Sequence, residues 1–340
     1  MNKAANPTPG AGQIQKLAFR WVRFNFEIEA LEDLFLPPFK GSALRGGFGY
    51  SFRKVCCVVH QQECAGCTLS QACAYAYVFE TPENAAPEIK HQAANYPHPF
   101  IIEPPDDRET HIRAGERLVF SLVLLGKGID FLPYFVFAFH QLGQMGLGKG
   151  RGKFRLNQIT FPAPNDGASE TRIYNHQSQM LSSDFEVSEW AQLLESVTNL
   201  NPGEITLRFT TPTRIMNQGL IINTLPFDLL MRTIFRRLSL LGRIHCQHPW
   251  DLPYGELIEL ATQSVTTTAN HLRWVDWERY STRQHQRMKF GGFVGEVTYR
   301  GNLQPFLPFI LLGEAAHVGK NATFGLGRYF VEMPELPKVS

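Results

Sequence analysis

The chain of 340 residues contains one pattern twice, and this repeat limits the possible folds more than any other feature. In the first copy, residues 20–30 (RWVRFNFEIEA) alternate polar and apolar side chains, which predicts a strand. A basic segment, PFKGSALRGGFGYSFRKV, follows it. In the second copy, residues 205–211 (ITLRFTT) also predict a strand, and PFDLLMRTIFRRLSLL then has apolar residues at helical spacing. The second copy therefore predicts that the basic segment of the first copy is a helix as well.

The two copies also end in the same way. An apolar segment begins at Phe131 and leads into the glycine-rich GLGKGRGKFRL, and another begins at Phe306 and leads into HVGKNATFGLGRYFV. Each copy thus has a strand, a helix, further strands, a helix, a glycine-rich loop and a last strand, which is the pattern of a ferredoxin-like unit. We predict an α+β protein with two tandem ferredoxin-like (RRM-like) domains, at residues 15–165 and 204–333. Residues 166–203, which are rich in turn formers, are the predicted linker region.

Both glycine-rich loops carry positive charge. Glycine lets the backbone approach a ligand closely, and exposed N–H groups beside cations suit a phosphate chain. A tight hairpin with a solvated basic rim is the alternative, but two such loops at equivalent positions favour phosphate binding. The net charge is only +2, so a basic surface must arise from local segregation of charge. The cations concerned are Lys149, Arg151 and Lys153 in the first loop and Lys320 and Arg328 in the second.

Five of the six cysteines are clustered. The spacing Cys57-x6-Cys64-x2-Cys67-x5-Cys73 supplies four thiols around a Cys-x2-Cys loop, which is the arrangement that a tetrahedral Zn²⁺ site needs. The polar sequence HQQECAGCT fits poorly with buried free cysteines. Because all four ligands are thiols, we predict a structural zinc site, with an iron–sulfur cluster as the alternative. Residues 56–80 would then form a metal-binding insertion in the first domain.

Residues 273–300 interleave basic and aromatic side chains. Such a composition can bind backbone phosphates and stack bases. An ordinary amphipathic connection into a strand at residues 293–299 explains the stretch equally well. The basic residues are Arg279, Arg283, Arg287 and Lys289, and Trp274, Trp277, Tyr280 and His285 lie among them.

Neither a membrane span nor an export signal is predicted. No apolar stretch approaches the roughly 18 residues that a span requires, and the N-terminus lacks the apolar region of a signal peptide. We therefore expect a cytoplasmic protein with no membrane partner, in a compartment where disulfides are rare.

Seven segments, taken in order, match one known family. They are KGSALRG (40–46), CAYAYVFE (73–80), HPFIIEPP (98–105), GLGKGRGKF (146–154), TPTRIMNQG (211–219), RYSTRQ (279–284) and GEAAHVGKNATFGLGRY (313–329). Together they resemble the CRISPR-associated pre-crRNA-processing endoribonucleases of the RAMP superfamily, over about residues 18–331. The resemblance implies two tandem ferredoxin-like domains that bind CRISPR repeat RNA, as pre-crRNA or crRNA. Other CRISPR effector or adaptation proteins are further candidate partners.

The resemblance also implies a reaction without a catalytic cofactor. A base takes the proton of a ribose 2′-OH, which attacks the adjacent phosphate and leaves a 2′,3′-cyclic phosphate and a 5′-OH. Such chemistry needs a base with a pKa near neutrality, a cation and an acid, and histidine suits the role of the base. Our preferred base is His317, with Lys320 close by. His285, close after Tyr280, is second, and His60 matches the position of the catalytic histidine in many members of the family.

Two other functions fit the sequence. The first is a non-catalytic crRNA-binding RAMP subunit of a CRISPR effector complex, since KGSALRG also resembles the helix-start motif of those subunits. The second is a metal-stabilised protein-interaction module, in which the basic loops contact protein. If the chain binds RNA, we expect Arg45 and Arg214 to contact it together with the cations of the loops and of the C-terminal basic stretch.

Overall fold

The structure is a computed structural model, which describes residues 8–59, 64, 66–80, 96–162, 170–217, 220–222, 224–276, 278–281 and 286–333. For residues 217, 220–221, 278–281 and 286–289 it describes the backbone alone. Within these ranges, no helix combines the length and the apolar character that crossing a membrane would require.

The first part of the chain forms an antiparallel sheet with helices. Two short helical turns, at Ala76–Glu80 and Gly126–Phe131, accompany the regular elements. The elements are α1 (Ala11–Ile14), β1 (Arg20–Ala30), β2 (Leu34–Phe35), α2 (Gly41–Cys56), β3 (Phe100–Glu103), β4 (His111–Ile112), β5 (Arg117–Leu125), α3 (Leu132–Met145), β6 (Phe154–Pro162), β7 (Glu170–Asn175), β8 (Ser188–Glu189) and α4 (Trp190–Val197).

The second part forms another antiparallel sheet, again with helices. A 3₁₀ turn at Ala322–Phe324 lies inside its glycine-rich loop. The elements are β9 (Glu204–Thr213), β10 (Met216–Asn217), β11 (Leu220–Ile221), α5 (Phe227–His245), α6 (Tyr254–Ser264), β12 (Val265–Val275), β13 (Glu278–Ser281), β14 (Gln286–Lys289), β15 (Gly292–Gly301), α7 (Leu307–Ala316) and β16 (Tyr329–Glu332).

Both sheets have the same strand order. The first runs β3-β5-β1-β6-β7 and the second runs β12-β15-β9-β16. In the first sheet β1 lies between β5 and β6, and in the second sheet β9 lies between β15 and β16, as in a β-α-β-β-α-β unit. The prediction of an α+β fold is confirmed, its sheets are antiparallel, and the basic segment after β1 is the helix α2. The number of domains and their boundaries stay a prediction.

The predicted linker region contains regular structure. β7 pairs with β6, and β8 pairs with β1, so both extend the first sheet. Without β7, strand β6 would present unpaired backbone N–H and C=O groups at the edge of the sheet. The side chain of Trp190 in α4 is buried in the core of the second part. Residues 170–203, the described part of the predicted linker, therefore contribute to both parts of the molecule.

Two large apolar clusters of the described residues hold the fold together, and they meet at β5. In the first cluster Phe48 of α2 packs between Phe135 and Phe139 of α3, with ring centroids 4.9 Å apart in each pair. Successive side chains of a strand point to opposite faces. Accordingly Leu122 of β5 belongs to this cluster, whereas Val123 belongs to the cluster of the second part. The outer face of the first sheet is thus packed against α7, which brings the second glycine-rich loop next to β3.

Candidate nucleic-acid interface

The two glycine-rich loops are built in the same way. Helix α3 ends at Gly146 with φ 84° and ψ 155°, and helix α7 ends at His317 with φ 57° and ψ 167°. One backbone hydrogen bond then closes each loop. These bonds run from Leu147 N to Gly152 O (2.9 Å) and from Val318 N to Gly327 O (3.0 Å). The similar geometry supports the repeat that the sequence predicts, and the second loop is longer by a 3₁₀ turn.

Most loop glycines pack against the protein itself. A Cβ on Gly327 would lie 1.8 Å from Val318 O, and one on Gly146 would lie 2.0 Å from Arg151 O. Gly325 approaches Ile102 of β3 in the same manner. Among the glycines of these two loops, Gly150 alone has open space where its Cβ would be. Most of these glycines therefore allow the loops to close and to pack on the rest of the protein. We predicted that they let the backbone approach a ligand, and among these glycines only Gly150 has the open space for that role.

The first loop presents its three predicted cations to solvent. Lys149, Arg151 and Lys153 are all exposed. The loop is seated on the segment before α2, where Lys149 N donates to Phe35 O at 2.9 Å and Lys153 N donates to a carboxylate oxygen of Glu32 at 3.0 Å. The cationic side chains therefore stand on an anchored backbone.

Four predicted cations surround the second loop. The Arg45 guanidinium of α2 lies 5.0 Å from the Phe324 ring centroid, and the Arg328 guanidinium lies 4.8 Å from that of Phe330. Lys320 is exposed, and its backbone N–H donates to Arg214 O at 3.1 Å. Arginine and aromatic side chains together suit a nucleic acid, because they offer charge for phosphates and rings for bases.

The start of α2 links the two loops. Phe35, just before this helix, accepts the hydrogen bond from the first loop. Gly41, its first residue, lies so close to the second loop that a Cβ there would be 2.1 Å from Phe324 O. A short stretch of chain thus separates the two groups of cations, which lie on neighbouring parts of the surface.

A groove continues this basic region over the second sheet. Arg208 of β9 and His271 and Arg273 of β12 line it, together with Asp106 and Glu296. The groove holds a volume of about 520 Å³. Its mixed charge distinguishes it from the loops, whose exposed side chains are mostly basic.

His317 is fully buried, with both ring nitrogens in hydrogen bonds. Its Nδ1 lies 3.0 Å from Leu326 O and its Nε2 lies 2.8 Å from Glu103 Oε1. Burial lowers the pKa of His317, and the Glu103 carboxylate opposes this. Burial alone would raise the pKa of Glu103, but the hydrogen bond from His317 and the charge of Arg23 lower it to about 2. A general base must reach the proton that it removes, and His317 reaches no solvent here.

The structure describes the other residues that we predicted to act in catalysis or RNA binding only in part or not at all. His60, Arg283 and His285 lie outside the described residues. Of four others only the backbone is described, in the hairpin formed by β13 and β14. These four are Arg279, Tyr280, Arg287 and Lys289.

The predicted zinc site receives no support from the described residues. Cys57, Cys64, Cys67 and Cys73 are among them, yet no group of three or more His, Cys, Asp or Glu side chains is placed to hold a metal ion there. Cys56, which the prediction left out, lies close to two of them. Burial, with the neighbouring Cys73 and Cys57 thiols, raises the pKa of the Cys56 thiol to about 12.

Sequence reasoning missed the carboxylates of Glu103, Asp106 and Asp107. Asp107 pairs with the Nζ of Lys40, a lysine that is fully buried at the start of α2. Asp106 lies 3.7 Å from an Nη of Arg328. Asp106 and Asp107 belong to an acidic run that follows HPFIIEPP, and Glu103 lies within that segment; nothing in the local sequence indicates the partners of these carboxylates.

The strand order of both sheets is consistent with the ferredoxin-like folds of RAMP proteins, and comparison with known families agrees. Residues 207–329 match the family model of the CRISPR-associated endoribonuclease Cas6, and residues 19–185 match a second model, described as an N-terminal domain. The resemblance that we identified in the sequence is confirmed. The second half of this chain is thus similar to the Cas6 endoribonucleases, in agreement with the family that the sequence resembles.

Individual relatives are distant in sequence. An uncharacterized protein of Archaeoglobus fulgidus is 24% identical over 304 residues, which are 86% of this chain and 91% of that protein. Among solved structures, a Cas6 product complex matches with a TM-score of 0.55 at 17% identity, over 92% of this chain and 100% of that chain. Thermus thermophilus Cas6 matches with a TM-score of 0.51 at 16% identity, over 92% and 99%. A partial Cas6-RT-Cas1–Cas2 complex matches with a TM-score of 0.56 at 14% identity, over 95% of this chain and 47% of that chain. These structural matches concern the fold.

Proposed function

We propose that this protein binds CRISPR repeat RNA and cleaves pre-crRNA by a metal-independent attack of a ribose 2′-OH on the adjacent phosphate. The products are a 2′,3′-cyclic phosphate and a 5′-OH. One observation carries the proposal: the cations Arg45, Arg214, Lys320 and Arg328 are gathered around one glycine-rich loop, within or next to the region that matches the endoribonuclease family. Phosphate contacts of this kind supply much of the affinity of a protein for a nucleic acid.

In this proposal the chain has two tandem ferredoxin-like domains, and the RNA lies across both glycine-rich loops. The first loop offers Lys149, Arg151 and Lys153 to phosphates, and the second offers Lys320 and Arg328. A solved structure described as a Cas6 product complex supports RNA as the ligand. Another, described as a Cas6-RT-Cas1–Cas2 complex, supports CRISPR adaptation proteins as further partners.

For the catalytic base, we favour His285 or His60 over His317. His317 would first have to break two hydrogen bonds and leave a buried site. The other two histidines stay candidates from the sequence, His285 beside Tyr280 and His60 by its position after the first basic helix. Lys320 is exposed and is suited to stabilise the negative charge that develops on the phosphorane.

The decisive experiment incubates the protein with its cognate repeat RNA in EDTA under single-turnover conditions. We expect cleavage at one site and a product that ends in a 2′,3′-cyclic phosphate. RNA with a 2′-deoxyribose at that site is the matched control, and it should bind without being cleaved. A requirement for Mg²⁺, with the fold retained, would overturn the proposed chemistry. Binding without cleavage would indicate a crRNA-binding subunit, and no binding would indicate a protein-interaction module.

Variants then identify the base. Alanine at the true base should slow cleavage by about 10²- to 10⁴-fold, because this is the usual contribution of general acid–base catalysis. The affinity for RNA should stay within a few-fold of the wild type. His285→Ala and His60→Ala are compared with His176→Gln, a change far from both loops in the sequence. If neither alanine variant slows cleavage, neither histidine is the base.

We further propose that the cysteine segment binds structural zinc, with an iron–sulfur cluster as the alternative. The spacing of four cysteines supports this. So does the position of Cys56, whose pKa is raised by burial and by the neighbouring Cys73 and Cys57 thiols, because a cation bound there would favour its thiolate. Metal analysis of purified protein tests the proposal. We expect about one zinc ion per chain, lost in Cys64→Ser and kept in the control Cys246→Ser, and protein with neither zinc nor iron would refute it.

A further inference from the structure

His317 has a backbone conformation that is nearly restricted to glycine. Its φ of 57° and ψ of 167° lie in a region where a Cβ is strained. The equivalent position in the first repeat, at the end of α3, is Gly146, with φ 84° and ψ 155°. A histidine in place of this glycine must be compensated by other interactions. The hydrogen bonds of the His317 side chain provide this compensation.

The side chain of His317 joins two distant parts of the chain. Its Nδ1 donates to Leu326 O inside the glycine-rich loop, and its Nε2 contacts Glu103 Oε1 at the end of β3. Leu326 O only accepts a hydrogen bond, so Nδ1 carries a proton. An ionised Glu103 also only accepts, so a hydrogen bond between Nε2 and Oε1 requires a further proton. The two side chains together therefore carry one proton more than a neutral histidine and a carboxylate would. Arg23 of β1 donates to the same Glu103 oxygen at 3.0 Å.

The loop is seated on the same segment at neighbouring points. A Cβ on Gly325 would lie 2.7 Å from Ile102 O, so the loop backbone rests on β3. Three residues beyond β3 the chain reaches Asp106, which faces Arg328 at the other end of the loop. Glu314 of α7 is a further charged group near the pair; its pKa is raised by burial, and it accepts a hydrogen bond from Val331 N.

We propose that Glu103 and His317 form a latch that holds the second glycine-rich loop on β3, so that its cations meet RNA in one arrangement. His317 is then a positioning residue. It contacts neither the RNA nor the reacting atoms. The link from loop order to RNA binding rests on the proposed function, whereas the latch itself can be tested without RNA.

Hydrogen exchange of the RNA-free protein measures the latch directly. The amides of Val318, Lys320 and Gly327 donate hydrogen bonds within and around the loop, so they report its opening. We expect Glu103→Gln and His317→Gly to exchange about 10- to 100-fold faster at these amides, which corresponds to the loss of one charge-assisted hydrogen bond. Glycine at position 317 removes the backbone strain, which by itself should not destabilise the loop. Faster amide exchange in His317→Gly must therefore come from the loss of the histidine side chain.

Matched controls and a double variant make the result specific. Glu109→Gln makes the same chemical change at an exposed residue of the segment between β3 and β4, and it should exchange like the wild type. In the double variant Glu103→Gln/His317→Gly, exchange should be no faster than in the faster single variant, because the partners act as one unit. Unchanged exchange in both single variants, or fully additive effects, would overturn the proposal. If the buried variants do not fold, Arg23→Gln, at the partly exposed end of the network, should still speed exchange of the loop.

Binding and cleavage assays separate positioning from catalysis. If His317 positions the loop, His317→Gly should raise the Kd for repeat RNA about 10- to 100-fold while the cleavage rate at saturating RNA stays within a few-fold. An unchanged Kd with a rate lowered by about 10²- to 10⁴-fold would make His317 the base and refute the latch as its role. If the wild type binds no RNA but its variants lose protection of the loop, the latch stands and the proposed function falls.

Discussion

Replacing Gly327 by alanine tests whether the glycines close the second loop. At φ 75°, a residue with a Cβ costs roughly 1–2 kcal/mol more than glycine. The new Cβ would lie 1.8 Å from Val318 O, so the two ends of the loop must separate. This breaks the hydrogen bonds from Val318 N to Gly327 O and from Gly327 N to Pro212 O, each worth about 0.5–1.5 kcal/mol. We expect Gly327→Ala to lower the free energy of unfolding by about 2–5 kcal/mol.

Gly150→Ala is the matched control. Gly150 also has a positive φ, 84°, but no atom lies within 4 Å of its Cβ position. Only the conformational cost of roughly 1–2 kcal/mol applies, and it is partly offset because alanine restricts the unfolded chain. Urea unfolding gives both free energies, and titration with repeat RNA gives both affinities. Gly327→Ala should weaken RNA binding at least tenfold more than Gly150→Ala does. Equal effects of the two variants on stability would refute the idea that close packing determines the cost.

Three further changes test charge at the site. Lys149→Ala should reduce the slope of log Kobs against log salt by about 0.7–0.9, as expected for one lost phosphate contact. Lys16→Ala, a control elsewhere on the surface, should leave the slope unchanged. An unchanged slope in Lys149→Ala would show that Lys149 of the first loop does not contact the RNA. Asp106→Asn should tighten RNA binding a few-fold, because Arg328 then loses a competing carboxylate at 3.7 Å, and weaker binding would contradict this. The pKa of Glu103 is lowered from 4.5 to about 2, so its contribution to stability is present above pH 4.5 and is lost as the pH falls towards 2. The difference in unfolding free energy between wild type and Glu103→Gln should therefore shrink across that window, and a constant difference would contradict the ion pair.

Local patterns account for what was predictable. The alternation in residues 20–30 predicts β1, which the structure has at Arg20–Ala30. The helical spacing of the second repeat predicts α5, and by analogy α2, although the glycines of α2 obscure its own pattern. Ordered motifs such as GEAAHVGKNATFGLGRY were enough to indicate the family, because such motifs occupy short stretches of chain. Each of these signals extends over at most a few turns or one strand.

At the candidate site, local patterns did not predict which residues contact one another. His317 was predicted to be a base because it lies in a basic, glycine-rich loop, and the structure instead buries it against Glu103, 214 residues away in the chain. Likewise the carbonyl groups that leave no room for a Cβ at Gly41 and Gly325 come from the other half of the molecule. No pattern near either glycine indicates that partner.

The sequence alone determined the repeated strand and helix pattern and indicated the family, since the periods of strands and helices, and the motifs, are properties of neighbouring residues. Only the tertiary structure decided which loop cations stand together and which histidine is buried. These outcomes depend on how the outer face of the first sheet packs against α7. That packing is set by apolar side chains such as Val123 on β5, and it brings together polar groups that the local sequence does not relate.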